Sequence, residues 1–188
     1  MGFSLNCSGI TLLYGAILLL VLPLNWLLAA AAAASIHEAF HYIAVRCTGN
    51  RVLAADISHN GTVMETLPMT WGKECFCALA GPIGSLLVAC CYSWIPRISL
   101  CAAIQGAFNL LPLYPLDGGR AYRALLYLFF PACAEKILRY TYYIVITCIA
   151  AVAVYCSLGM HMGCSPLFLC ILLLSRCLQQ KFLAKKGI

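Results

Sequence analysis

Charge is the scarcest property of this sequence. Only 10% of its 188 residues are charged and 63% are hydrophobic, whereas charged residues make up about 25% of a soluble domain. There is too little polar surface to cover a soluble globule, so the composition predicts an integral membrane protein. Because an ionisable side chain within a membrane is costly, each one found inside an apolar run indicates a function.

Two other patterns are missing. None of the 13 cysteines forms a C-x-x-C pair, and most lie in apolar runs, where a free thiol behaves as a small hydrophobic residue. We therefore expect neither a disulfide framework nor a cysteine zinc site. The net charge of +6 comes without a basic patch interleaved with aromatics, which argues against a nucleic-acid partner. No Lys or Arg precedes the first apolar run, so we interpret that run as a retained span rather than a signal peptide.

Apolar segments predict an all-α polytopic membrane protein with about six transmembrane helices in a single domain, residues 1–188. A spanning helix needs about 20 residues, and the fourth segment is short. With both termini cytoplasmic, all of the 12 Lys and Arg residues except Arg97 fall on the inside, as the positive-inside rule expects. The predicted spans are 4–22, 24–47, 75–95, 98–112, 137–158 and 164–180.

A loop at 48–73 separates the second and third predicted spans. Arg51–Ser58 and Thr62–Leu67 are β-capable runs on either side of His59-Asn60-Gly61, and Asn-Gly in that position is typical of a β-hairpin. An open strand edge there could accept an extended peptide as an added strand. The alternative is a plain cytoplasmic connector.

The second predicted span contains His37-Glu38-Ala39-Phe40-His41. HExxH on a helix brings two imidazoles to one face beside a carboxylate, which is typical of a zinc site with a general base. His37 lies 13 residues beyond Leu24, or roughly 20 Å along a helix, toward the cytoplasmic leaflet. The motif predicts a metal-dependent hydrolase that works within the bilayer.

A catalytic zinc usually has a third protein ligand, and Asp117 is the best candidate among the six carboxylates. Pro112 and Pro115 interrupt the fourth predicted span just before it, and we expect Asp117 to emerge at the leaflet of the two histidines. The predicted topology places His161 on the outside, and turn polarity explains His59. Taken alone, Asp117 is also explained as part of a helix-ending Asp-Gly turn.

These motifs resemble those of the site-2 protease family of intramembrane zinc metalloproteases. The chain carries the HExxH at 37–41 and the N-x-x-P-x-x-P-L-D-G-G pattern from Asn109 to Gly119. The element at Gly81–Ser85 is similar to the family's G-P-x-x-N, with serine at position 85 where asparagine is common; we expect this difference to leave the zinc site itself unaffected. Six spans resemble the sporulation-type bacterial branch.

The resemblance implies one Zn²⁺ held by His37, His41 and Asp117, with Glu38 as the catalytic base and Asn109 positioning the substrate or the oxyanion. It also implies regulated intramembrane proteolysis in the bacterial cytoplasmic membrane, on membrane-anchored substrates such as a sigma or an anti-sigma factor. A periplasmic-type PDZ insertion and a regulatory nucleotide-binding domain have no room here, so we expect a bare catalytic core controlled by a regulatory membrane partner or by substrate supply.

Two other interpretations remain open. A non-proteolytic zinc-binding membrane protein or a zinc transporter would use the same ligands, although the fifth and sixth predicted spans carry few polar residues, mainly Thr141, Thr147 and Ser157. A scaffold whose histidines are merely core residues would contain no zinc.

Overall fold

The structure, a computed structural model, describes residues 23–58, 61–159 and residue 170. The chain divides into two compact units, residues 1–110 and residues 111–188. The described part of the first unit contains three helices, α1 (Leu24–Cys47), α2 (Trp71–Ala89) and α3 (Pro96–Asn109), and two strands, β1 (Val52–Ser58) and β2 (Gly61–Thr66). The described helices of the second unit are α4 (Asp117–Phe129) and α5 (Ala134–Leu158).

A single stripe of α1 is buried against the other helices of its unit. Ala29, Ala33, His37, His41 and Ala44 are all buried, and a spacing of three or four residues keeps them on one face. Small side chains in the first half of this stripe let the backbones approach closely, which is how helices pack where lipid supplies no hydrophobic driving force. The two histidines extend the same stripe, so the packing face of α1 also carries the site.

Glycines on α2 and α3 bring these helices close to their neighbours. A β-carbon on Gly84 would overlap the ring of Phe40 on α1, and one on Gly106 would lie 3.0 Å from the β-carbon of Ser85. Ser99, at the start of α3, donates a hydrogen bond to the carbonyl of Val88 at 2.9 Å. Helices α2 and α3 thus pack closely in this unit, because glycines leave room for the side chains of the neighbouring helix.

The loop after α1 is attached to both helices that flank it. Lys73 donates to the carbonyl of Thr48 at 3.0 Å, which satisfies a helix-end acceptor of α1. Gly49 adopts a φ of 78°, where a glycine is favoured at a helix C-terminus. The strands β1 and β2 pair antiparallel with Ser58 opposite Gly61. The turn residues 59 and 60 lie outside the described residues, so the predicted turn, like its role in presenting a peptide, stays a prediction.

In the second unit, the proline-rich segment turns back on the start of α4. A β-carbon on Gly119 would overlap the backbone of Leu113 and Tyr114, so this close approach requires glycine. Leu116 donates a backbone hydrogen bond to Leu113 at 2.8 Å. Further along, the hydroxyls of Tyr122 on α4 and Thr141 on α5 lie 3.2 Å apart.

The predicted membrane character agrees with the helices that the structure describes. Three of them, α1, α2 and α5, are long and apolar enough to cross a membrane, and large apolar side chains such as Leu28, Ile83 and Ile144 face outward. Together with the apolar composition, these helices indicate an integral membrane protein.

The first and sixth predicted spans lie outside the described residues except for Cys170, so they stay predictions. The described helices differ from the predicted spans at two other places. The fourth predicted span, 98–112, corresponds to α3, which has 14 residues and is roughly 21 Å long, short of a bilayer core about 30 Å thick. Helix α4 was not predicted, because Arg120 and Arg123 lower the mean hydropathy of the segment, so its apolar face is not apparent from hydropathy. The number of spans stays a prediction.

Gly84→Ala tests the close packing of α1 and α2. The added carbon would overlap the Phe40 ring, including Cγ, so a ring rotation about χ2 cannot relieve the overlap and the side chain or α1 must shift. We expect a loss of about 1–3 kcal/mol in the free energy of unfolding, measured by thermal unfolding in detergent. The matched control is Gly72→Ala on the same helix, where a β-carbon meets nothing within 4 Å; equal stability of the two variants would contradict the packing.

Candidate metal centre

The HExxH residues lie in the middle of a membrane-length helix, with both histidines buried. His37 is 2% exposed and His41 is 8% exposed. They are one helical turn apart, and their rings meet edge to face with centroids 4.9 Å apart. A buried imidazole needs partners for its ring nitrogens, and atoms of α1, α2 and α3 supply them.

The two Nε2 atoms converge on one point. They are 3.2 Å apart. Two zinc–nitrogen bonds at a tetrahedral angle would place their nitrogens about 3.3 Å apart. The pair therefore fits a shared zinc ion without a change in side-chain position.

The Nδ1 atoms point the other way and are both bound by α2. Nδ1 of His41 lies 2.8 Å from the carbonyl oxygen of Cys77, and Nδ1 of His37 lies 2.8 Å from Oγ of Ser85. A carbonyl only accepts hydrogen bonds, so His41 carries its proton on Nδ1 and, when neutral, presents a lone pair on Nε2. This is the arrangement found in metal-binding histidines, whose other ring nitrogen donates to a carbonyl, a carboxylate or water.

Gly81 leaves space for the two Nε2 atoms. A β-carbon at this position would overlap Nε2 of His41 and lie 2.7 Å from Nε2 of His37. Cys77, Gly81 and Ser85 follow one another at intervals of four residues and so share one face of α2. Opposite the two histidines, that face presents the carbonyl of Cys77 as an acceptor, the space at Gly81 and the hydroxyl of Ser85.

Asn109, the last residue of α3, also reaches the site. Its Nδ2 lies 3.4 Å from Nε2 of His37, and its side chain is half-buried. The structure therefore brings together three of the residues selected from the sequence, His37, His41 and Asn109, within the first unit. Glu38 follows His37 on α1 and is partly accessible.

Asp117 is the first residue of α4, in the second unit. A carboxylate at a helix N-terminus is stabilised by the helix dipole. Its Oδ1 lies 3.8 Å from the guanidinium of Arg120, and its side chain is 13% exposed. Two imidazoles and a carboxylate from His37, His41 and Asp117 are a donor set that could hold a metal ion.

The sequence analysis missed the partners of the histidines. We expected serine at position 85 to leave the zinc site unaffected, and the structure places its hydroxyl 2.8 Å from Nδ1 of His37. The Cys77 carbonyl and the space at Gly81 were also missed, since neither is a side chain. Cys77, Gly81 and Ser85 are four residues apart, as are the two histidines. This shared spacing could have indicated that one face of α2 lies against the histidine face of α1.

These features define a class: an integral membrane protein with a buried histidine pair suited to a metal ion. The chain is similar to the solved structure of the site-2 protease from Methanocaldococcus jannaschii, with a TM-score of 0.55 and 20% sequence identity. The match covers 77% of this chain and 73% of that chain. At this identity the similarity shows the fold. No family model and no curated protein matches the chain.

Gly81→Ala tests the geometry of the histidine pair. The added methyl group would overlap Nε2 of His41 and force the rings apart, so we expect the purified variant to lose most of its bound zinc, measured by elemental analysis. Gly72→Ala is the control, because it makes the same change on the same helix in open space. Full zinc content in Gly81→Ala would show that the ligand atoms lie elsewhere.

Proposed function

We propose that this chain is an intramembrane zinc endopeptidase that cleaves membrane-anchored proteins within or near their transmembrane segments. The observation that carries the proposal is the buried His37–His41 pair, with Nε2 atoms 3.2 Å apart and a Glu between them in sequence, on a helix apolar enough to cross a membrane. The similarity of the fold to a site-2 protease supports it.

In this proposal, His37, His41 and Asp117 hold one Zn²⁺. Nitrogen and carboxylate oxygen are ligand types that zinc accepts, and three protein ligands leave a fourth position for water or substrate. When bound, zinc would make the water more acidic and polarise the scissile carbonyl. For Asp117, the support comes from the proline-rich sequence before it and from its place at the start of α4.

Glu38 acts as the general base. Its carboxylate takes a proton from the attacking water and later gives it to the leaving amine, so one group serves both proton transfers. Glu38 can do so because it is neighbour to His37 and remains partly accessible. The bond formed joins the water oxygen to the scissile carbonyl carbon, and the bond broken is the amide C–N bond.

Asn109 positions the substrate in this proposal. Its amide lies 3.4 Å from Nε2 of His37, beside the point where the two Nε2 atoms converge. An amide N–H directed at that point can donate to a substrate carbonyl, and preferentially to the oxyanion that develops on it.

Substrates would be single-span proteins, such as a sigma or an anti-sigma factor, reached from the cytoplasmic side of a bacterial membrane. A helical peptide bond is shielded, so the substrate must unwind before it reaches Glu38. The strands β1 and β2 offer an edge to which an unwound segment could add. A regulatory membrane partner would control this access. The positive-inside distribution supports cytoplasmic termini.

Glu38→Gln tests the proton transfers. The amide has a similar shape but cannot accept the proton, so we expect cleavage of co-expressed membrane-anchored candidate substrates to stop while bound zinc is kept. Immunoblotting of the substrate and elemental analysis of the enzyme measure the two effects.

The matched control for Glu38→Gln is Glu74→Gln, the same change in the first turn of α2, which should cleave normally. Cleavage by Glu38→Gln would contradict the mechanism. Zinc flux into vesicles without any proteolysis by the wild type would favour the transporter instead.

Asp117→Ala tests the third ligand. Losing the hydrogen-bond partner of a metal ligand typically lowers metal affinity roughly 10- to 100-fold. Losing a ligand itself should lower zinc affinity by more than that, and chelator competition measures the change. The matched control is Glu135→Ala, which removes another carboxylate of the same unit and should retain zinc. An unchanged affinity in Asp117→Ala would exclude Asp117 from the ligand set.

A further inference from the structure

We infer that Ser85 is a positioning residue: its hydroxyl accepts a hydrogen bond from Nδ1 of His37 and so directs the Nε2 lone pair of His37 toward the metal. The inference rests on the proposed zinc site. It assigns a role to a residue that contacts neither metal nor substrate and acts through His37.

The two histidines have partners of different chemical kinds. His41 faces the Cys77 carbonyl at 2.8 Å, which only accepts, so its neutral form has a single allowed tautomer. His37 faces the Ser85 hydroxyl at 2.8 Å, which can accept or donate. The tautomer of His37 therefore depends on the direction of this O–H group and on the Asn109 amide, which lies 3.4 Å from Nε2 of His37 and, as a donor, favours the tautomer with the proton on Nδ1.

Each orientation of that hydroxyl corresponds to a different state of the pair. If Ser85 donates to Nδ1, the proton of His37 lies on Nε2 and bridges the 3.2 Å gap to the Nε2 lone pair of His41. If Ser85 accepts, both Nε2 lone pairs point at the same place, and their repulsion is relieved by a cation. Metal binding requires that Nε2 of His37 carries no proton. Ser85 can stay hydrogen-bonded to Nδ1 of His37 before and after that proton is lost, because its hydroxyl can switch from donor to acceptor.

The packing around Ser85 makes this contact rigid. Ser85 is 1% exposed, so water does not replace its hydrogen bond. Gly106 of α3 packs against it so closely that a β-carbon there would lie 3.0 Å from the Ser85 β-carbon. Ser85 thus has α3 against its β-carbon and the His37 ring at its hydroxyl. Partners that hold a ligand in this way typically change metal affinity about 10- to 100-fold when removed.

Ser85→Ala tests the inference, with a closely matched control on the same bundle. Ser99 is also 1% exposed, and its hydroxyl donates one partly buried hydrogen bond to the Val88 carbonyl at 2.9 Å, but it does not contact a histidine in the described part of the chain. Ser99→Ala thus loses the same hydroxyl and one hydrogen bond without affecting a histidine. A third variant, Ser85→Thr, keeps the hydroxyl at position 85.

The measurement is a titration of metal-stripped, detergent-purified protein with Co²⁺, followed by its visible absorption and by chelator competition. We expect Ser85→Ala to bind Co²⁺ about 10- to 100-fold more weakly and with altered absorption bands, because His37 is no longer held in one orientation. Ser99→Ala and Ser85→Thr should keep the wild-type spectrum and affinity. Circular dichroism establishes that all four proteins are folded.

The outcomes separate the inference from the proposed function. Wild-type affinity and spectrum in Ser85→Ala would overturn the positioning role, and so would an equal loss in Ser99→Ala, which would reduce the effect to general packing. A wild-type protein that binds no Co²⁺ would overturn the metal site and the inference with it. Weakened binding in Ser85→Ala alone, in a protein that never cleaves a substrate, would support the positioning role and refute the protease.

Discussion

The close approach of α1 and α2 is the constraint on which the candidate site depends. The Nε2 atoms of His37 and His41 can lie 3.2 Å apart only because α2 has no side chain at Gly81. The same approach places the Cys77 carbonyl and the Ser85 hydroxyl within 2.8 Å of the two Nδ1 atoms. One contact between helices thus sets the position and the orientation of both histidines and the tautomer of His41.

The membrane explains why this contact is made of small residues. In lipid, apolar side chains gain little by facing one another, so helices associate through close backbone packing and internal hydrogen bonds. Close backbone packing comes from Ala29 and Ala33 on α1 and from the glycines of α2 and α3. Internal hydrogen bonds come from Ser99 and from the partners of the two histidines. Large apolar residues are left to face outward. The requirements of membrane packing and of a metal site therefore favour the same residues.

The sequence revealed the ionisable part of the site because charge is so scarce in this chain. His37 and His41 could be identified as a pair from their spacing. The structure places Asn109, which was also selected from the sequence, beside them. Their surroundings could not be predicted, because a backbone carbonyl and a missing β-carbon leave little trace in composition or hydropathy. Helix α4 was missed for a related reason: Gly118, Gly119, Arg120 and Arg123 make it look like a loop, although its packing face is apolar.

The two histidines differ in how evolution can act on them. The partner of His41 is a main-chain atom, which every residue type at position 77 except one that breaks the helix would supply. The partner of His37 is a side-chain hydroxyl, so it depends on which residue stands at position 85. In the proposed zinc site, replacement at position 85 would therefore change the electron-donating strength of His37 while His41 stays fixed, so a lineage could retune the site without altering any proposed ligand.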